Sequence, residues 1–110
     1  MIVVLGTAFA RPDTLDEMRR LSIEHVERSR LEPGCVSHEV AIDALRPLQL
    51  SFTERWSDAA ALAAHFQLDA SRRFAKALAA LGAQPPQMTL YVADAVTPSQ
   101  LLAQAGLEGG

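Results

Sequence analysis

The chain has little of the chemistry that marks several large protein classes. Its single cysteine, Cys35, excludes an internal disulfide or a thiolate metal cluster within one chain, so a reducing, cytoplasmic location is expected. The net charge of −3 offers no basic surface for nucleic acid or an anionic membrane. The apolar start, Met1 to Leu5, has neither the basic flank nor the length of a signal peptide or membrane span.

Cofactor and nucleophile motifs are missing as well. The six glycines form no phosphate-binding fingerprint, and no G-x-S-x-G elbow occurs. His25, His38 and His65 show none of the HxH, HxxxH or HExxH spacings of common metal sites. We therefore expect no metal and no organic cofactor.

The remaining composition is that of one ordinary globular domain. Of the 110 residues, 49% are hydrophobic and 21% charged, which allows a modest core. We expect a domain over residues 1–96 and a tail over 97–110 in which Thr97 begins one short helix.

Alternating patterns separate strands from helices. Strands are predicted at Ile2–Ala10, from Val36 to Ile42, from Leu48 to Trp56 and at Met88–Val92, where Pro85-Pro86 precede the last strand. A first helix is expected to start at a capping box, Thr14 with Glu17, and to stop at Pro33-Gly34.

Two further helices complete the order. One is capped by Ser57-Asp58 and runs through Ala59 to about Gln67, and the next covers Ser71 to Leu81 before Gly82. The order βαββαβ predicts an α+β, ferredoxin-like fold, with helices on one face of a four-stranded antiparallel sheet. Because the strands are not uniformly polar on either side, the open face is expected to pack on a second copy in a homodimer.

Two polar residues occupy apolar faces of the predicted hairpin. His38 shares its face with Val36 and Val40, and is either a core histidine bonded to a backbone carbonyl or a pocket group that binds or deprotonates a substrate. Glu54 lies on the face of Phe52 and must be paired or protonated, in a structural or a substrate-binding role.

Trp56 and His65 are the other candidates. Trp56 ends its strand, where an indole is either core or a platform for a planar substrate. His65 lies on one stripe of its helix with Leu62 and Phe66, and is either a functional group or a surface histidine.

Three segments resemble the antibiotic biosynthesis monooxygenase family. They are Glu32-Pro33-Gly34-Cys35, Glu54-Arg55-Trp56 and the helix carrying Asp58, Leu62 and His65, within a similarity that spans roughly Ile2 to Ala93. The resemblance implies a dimeric α+β barrel, with a pocket between the sheet and helices of each subunit.

The resemblance also implies a reaction. It is the cofactor-independent oxidation by O2 of an electron-rich aromatic, such as a quinol, an anthrone or a polycyclic phenol. His65 or His38 would be the base and Trp56 a stacking, hydrogen-bonding wall. Phe52, Phe66 and Phe74 would line the pocket.

Two other activities occur among proteins of this fold. Haem-degrading relatives use a histidine late in the second helical region and an asparagine in the first strand. Here Ser71 to Leu81 contains no histidine and the chain no asparagine, which disfavours haem degradation. The alternative left open is a dimeric protein that binds a small ligand without chemistry.

Overall fold

The computed structural model describes residues 1–107. Along this part of the chain the elements are β1 (Ile2–Ala10), α1 (Leu15–Ser29), β2 (Cys35–Ile42), β3 (Gln49–Trp56), α2 (Ala59–Gln67), α3 (Asp69–Leu81), β4 (Gly82–Val92) and α4 (Pro98–Gln104). The four strands form one antiparallel sheet in the order β2-β3-β1-β4. The expected ferredoxin-like α+β fold is confirmed.

One face of the sheet carries the helices. Along β3, the side chains of Leu50, Phe52, Glu54 and Trp56 are buried and alternate with more exposed positions, as the period of two predicts. Val4 of β1 is paired with Glu54 and is also fully buried. The core therefore lies between this face and the helices.

The predicted capping box at the start of α1 is wrong. Thr14 has helical backbone angles and makes no side-chain cap bond. Its hydroxyl donates to the carbonyl of Leu81 at 2.7 Å and accepts from the N–H of Arg11 at 2.9 Å. Glu17 pairs instead with Arg20 on the helix surface. A contact between distant elements has replaced the local cap, because Thr14 is buried against the end of α3.

The cap predicted for the second helix is confirmed. An Asp58 carboxylate oxygen accepts from the N–H of Ala61 at 2.8 Å. The short helix expected after Thr97 is α4, which carries a capping box between Thr97 and Gln100. Both caps lie on exposed backbone, where no tertiary partner competes for the side chain.

The last strand begins earlier than predicted. β4 starts at Gly82 and includes Pro85 and Pro86. The sequence analysis had placed both prolines before the strand. A proline cannot donate to a neighbouring strand, but β4 is at the edge of the sheet and its pairing with β1 shifts register beyond Thr7. Because one side of an edge strand has no partner strand, Pro85 and Pro86 can lie within β4 although they lack an N–H donor.

Gly34 sets the turn between α1 and β2. Its φ of +82° lies in the left-handed region, and a Cβ added there would be 2.5 Å from the Cβ of Ala61. The Gly34 carbonyl also accepts from the N–H of Ser57 at 2.8 Å. Glycine therefore lets the start of β2 lie directly against α2.

The apolar core consists of two clusters. One contains Ala8, Ala10, Met18, Leu50, Phe52 and Leu78, and the other Val4, Trp56 and Leu62. Seven polar residues are buried in the described chain, and four of them carry an imidazole or a carboxyl group: His25, His38, Glu54 and His65. None of the helices in the described residues is long and apolar enough to cross a membrane.

Candidate functional site

A cavity of about 200 Å³ lies between the sheet and the helices α1 to α3. Six residues singled out from the sequence line it together: Phe52, Glu54, His38, His65, Phe66 and Phe74. Pro86 and Met88 of the edge strand β4 line it too, and both are exposed to solvent. The cavity thus has apolar walls, a buried polar group and an accessible rim along β4.

Trp56 does not line this cavity. Its indole is fully buried, and its N–H donates to a Glu54 carboxylate oxygen at 2.9 Å. Its ring centroid is 4.7 Å from that of His65. Trp56 is therefore not the stacking wall of the cavity that was expected. It contacts Glu54 and His65 from behind, and these two side chains do line the cavity.

The Glu54 carboxylate contacts one side chain of the neighbouring strand β2 and one of its own strand, β3. Its Oε1 lies 3.3 Å from Nε2 of His38, opposite it on β2, and 2.9 Å from the Trp56 indole nitrogen. Burial raises the pKa of Glu54, but His38 and the Trp56 N–H outweigh burial, so the pKa lies below its ordinary value. Arg55 points away and donates to Ser37, so an ionised Glu54 remains inside without a nearby arginine.

His38 is buried without a matching hydrogen bond. Its side chain is fully buried, and neither Nδ1 nor Nε2 has a hydrogen-bond partner in the described chain; the 3.3 Å approach to Glu54 is an ion-pair distance without hydrogen-bond alignment. Buried polar groups in folded proteins are almost always satisfied. His38 is therefore a buried residue, as one of the two interpretations expected, but its nearest polar contact in the described chain is Glu54 and not a backbone carbonyl.

His65 is oriented by a carboxylate. Its Nδ1 lies 2.8 Å from Oε1 of Glu32, which lies in the loop between α1 and β2. Because a carboxylate oxygen is a hydrogen-bond acceptor, Nδ1 is the donor in this contact, and Nε2 is the ring nitrogen left for another partner. Glu32 was not among the predicted site residues, although it begins the Glu32-Pro33-Gly34 segment whose turn brings it here.

His25, like Glu32, is a residue of the site that the sequence analysis did not place in the pocket. It lies on the buried face of α1, three residues after Ser22, so helical spacing could have found it. Its ring stacks on Phe74 with centroids 4.0 Å apart and planes 10° from parallel. Burial, with smaller contributions from His38, His65 and Arg28, lowers the pKa of His25 to about 3, so this imidazole is neutral at neutral pH.

The three histidines come together although they are far apart in sequence. They belong to α1, β2 and α2, and one ring nitrogen from each lies within 4.8 Å of the other two. All three line the cavity. An apolar pocket with three imidazoles and an ionised carboxylate can bind a flat aromatic molecule, move a proton and stabilise charge.

Comparison with known proteins relates this chain and its fold to one family. The sequence model of the antibiotic biosynthesis monooxygenases matches residues 1–77. A solved Deinococcus radiodurans protein, a candidate antibiotic biosynthesis monooxygenase, is 26% identical with a TM-score of 0.84, covering 88% of this chain and 96% of that one. A solved antibiotic biosynthesis monooxygenase is 29% identical with a TM-score of 0.79, covering 86% of this chain and 100% of its own.

A curated relative is more similar in sequence. An uncharacterized protein of Synechocystis is 36% identical over 90 residues, which are 82% of this chain. The matched region spans 61% of the length of that relative. The relative therefore contains sequence beyond the region that the two share.

Proposed function

The chain belongs to the antibiotic biosynthesis monooxygenase family, and from this premise we propose that it oxidises a small electron-rich aromatic with O2. The observation that carries the proposal is the cavity in which Phe52, Phe66 and Phe74 lie beside His65, His38 and Glu54. At about 200 Å³ it is smaller than common ligand pockets of roughly 300–1,000 Å³. That size favours a quinol or another compact phenol over a large polycyclic one.

His65 is the proposed base. Its Nδ1–H donates to Glu32, so the Nε2 lone pair is available to take a proton from the substrate, and the Glu32 carboxylate balances the imidazolium that forms. The resulting phenolate or carbanion passes one electron to O2, and the radical pair combines as a peroxide. Loss of water leaves a substrate with one more oxygen atom and two fewer hydrogens, while the second oxygen atom departs in water.

The remaining groups bind and position the substrate. The stacked pair of Phe74 and His25 offers a flat wall for an aromatic ring. His38, with both ring nitrogens unpaired in the described chain, is placed to bond a substrate oxygen, and Glu54 lies beside it. The apolar walls keep water from the anion, which favours its reaction with O2.

Oxygen uptake by the metal-stripped protein tests this function. With a panel of quinols and anthrone-type phenols, we expect uptake above autoxidation, and a loss of about 10²-fold or more in His65→Gln. Arg20→Ala, on the exposed face of α1, is the matched control and should retain the parent rate.

Two results would overturn the proposal. Uptake that survives in His65→Gln would remove His65 from the role of base. Binding of panel members without any uptake would favour the alternative of a ligand-binding protein without turnover.

We further propose that the functional unit is a homodimer. The open face of the sheet carries the apolar side chains of Leu5 and Tyr91, both about half exposed. Every residue of α4 is exposed as well, including Leu101 and Leu102. A second copy would cover these surfaces, and isolated apolar patches of this kind mark association sites.

A further inference from the structure

We propose that His25, His38 and His65 form a binding site for one divalent first-row transition metal ion. The three imidazoles would supply the ligands, and a further coordination position would face the cavity. This inference goes beyond the oxidation proposed above and does not depend on it, since the ligand set stands on its own geometry.

The distances are close to those of a metal centre. One nitrogen of each ring lies within 4.8 Å of the other two. Bonds of about 2.0–2.1 Å in a tetrahedral arrangement place nitrogens roughly 3.4 Å apart. Small rotations of buried side chains would close this gap, and the adjoining cavity leaves room for them.

His38 provides an independent indication of a ligand. It is fully buried, and both of its ring nitrogens lack a hydrogen bond within the described residues. A buried imidazole in this condition has lost its contacts with water and gained only the poorly aligned 3.3 Å contact with Glu54. A metal ion bound to one nitrogen would satisfy it, with Glu54 close enough to accept a bond from the other.

His65 already has the partner that metal ligands usually have. A ligating histidine commonly donates its second ring N–H to a carboxylate, which fixes the ring and strengthens the ligand. Glu32 stands in this relation to His65 at 2.8 Å, leaving Nε2 for the ion. Glu32 and Glu54 together also supply negative charge near a dication.

His25 requires one local adjustment. The Arg28 guanidinium lies 3.4 Å from its Nδ1, at the long limit of a hydrogen bond. A metal on Nε2 would place a proton on Nδ1, so this weak contact would be given up. The stack on Phe74 keeps the ring in place while that happens.

The ligand chemistry selects the ion. Imidazole nitrogens suit Zn²⁺, Co²⁺, Ni²⁺, Cu²⁺ and Fe²⁺, whereas Mg²⁺ and Ca²⁺ prefer oxygen ligands. Three histidines with one open position are typical of catalytic rather than structural zinc. An ion on Nε2 of His65 would also occupy the lone pair that the proposed base needs.

Metal titration of the full chain without substrate tests the site. After chelator treatment, we expect Zn²⁺ and Co²⁺ to bind at one ion per chain, and Mg²⁺ not to bind. His25→Gln and His38→Gln should each weaken Zn²⁺ binding at least tenfold, with circular dichroism confirming the fold. Cys35→Ser is the matched control, because it removes the chain's one thiol and leaves the imidazoles intact.

A second measurement covers variants that fail to fold. Because the chain has three histidines in all, the parent's ¹⁵N-imidazole NMR signals all belong to this cluster. Zn²⁺ should shift all three together until one equivalent is added. The proposal is overturned if neither Zn²⁺ nor Co²⁺ binds, if Cys35→Ser abolishes binding, or if fewer than three imidazoles respond.

The metal site and the oxidation can fail separately. Zn²⁺ binding without any oxygen uptake would leave the metal site standing and remove the proposed function. Oxygen uptake by metal-stripped protein that Zn²⁺ does not suppress would place the ion away from His65 and overturn the site as drawn.

Discussion

Glu54 keeps a negative charge in the interior because two polar neighbours lie within reach of one oxygen atom. The Trp56 N–H and the His38 ring hold its pKa below the ordinary value despite burial. The same carboxylate then lies next to the cavity as a fixed charge. At the scale of single residues, the site therefore depends on side chains that hold Glu54 in place, such as Trp56, as well as on those that line the cavity.

Trp56→Phe separates the indole's hydrogen bond from its bulk. The variant retains a buried ring and loses the donor to Glu54, so we expect the free energy of unfolding to fall by about 1–3 kcal/mol. Urea denaturation measures it. Glu27→Gln, at an exposed position of α1, is the control and should change stability by no more than about 0.5 kcal/mol. An unchanged midpoint in Trp56→Phe would mean that Glu54 does not need the indole.

Glu32→Gln tests the orientation of His65. An amide can present either its oxygen or its NH2 group to Nδ1, so the imidazole would no longer be held in one tautomer. We expect oxygen uptake to fall by about tenfold or more, whereas thermal stability should change little, because the amide has the size of the carboxyl group and can still accept from Nδ1. A parent-like rate measured over the same substrate panel would show that the carboxylate does not position the base.

Cys35 should be a slow nucleophile. Burial, together with Glu32 and Glu54, raises the pKa of its thiol, and only the thiolate reacts. The rate of alkylation by iodoacetamide should therefore rise with pH through a midpoint above that of a cysteine in a short unfolded peptide, which serves as the reference. A midpoint at or below the peptide's would contradict the effect of burial and the two carboxylates.

The sequence indicated part of this site and not the rest, for reasons of distance along the chain. Glu54 and Trp56 are two residues apart on one strand, so alternation placed them on one face. His38 joined them through the hairpin. His25 and Glu32 reach His65 only through the tertiary packing of α1 and of the loop that follows it, and no local pattern records which side chains will meet there.

At the scale of elements, Gly34 is the most constrained position among the turns described. It combines a positive φ with a contact that leaves no room for a side chain beside Ala61. The turn fixes both Glu32 and the start of β2. The site's geometry therefore depends on a residue that does not touch the cavity.

Gly34→Ala and Gly106→Ala form a matched pair. Both glycines have φ near +80°, but a Cβ at Gly106 meets nothing within 4 Å. Gly106→Ala should cost about 1–2 kcal/mol at most, from backbone strain alone. Gly34→Ala adds the clash with Ala61 and should lower the melting temperature clearly further. Equal melting temperatures of the two variants would show that the turn at Gly34 can move away from Ala61 without loss of stability.

Two elements show where local patterns were insufficient. The cap at Thr14 was lost to a tertiary hydrogen bond with Leu81, and β4 continued through Pro85 and Pro86 because it is an edge strand. Both outcomes depend on neighbours that lie far away in sequence. Asp58 and Thr97, which have no such competitors, capped their helices as predicted.

At the scale of the whole molecule, the chain is more extended than a compact domain. Its radius of gyration is 16.3 Å, against about 13 Å expected for 110 residues. Strand β4 and helix α4 account for this, because nearly all of their residues are exposed. A shape of this kind is typical of a subunit that is completed by another copy.

The proposed homodimer is tested on the open face of the sheet. By light scattering after size exclusion, we expect the parent to have twice the chain mass and Leu5→Glu to shift towards the monomer, because a charge would be buried at the interface. Leu45→Glu is the control, since Leu45 lies in the β2–β3 turn and is 91% exposed. A monomeric parent would contradict the assembly.

The burial of Trp56 next to His65 and Glu54 has an optical consequence. Trp56 is the chain's only tryptophan, so selective excitation yields light from one indole in contact with the polar cluster. Because the ring is fully buried, we expect the emission of an indole shielded from solvent, and an approaching quinone or paramagnetic ion would quench it at short range. The native, unlabelled protein thus carries its own fluorescent reporter of what enters the cavity.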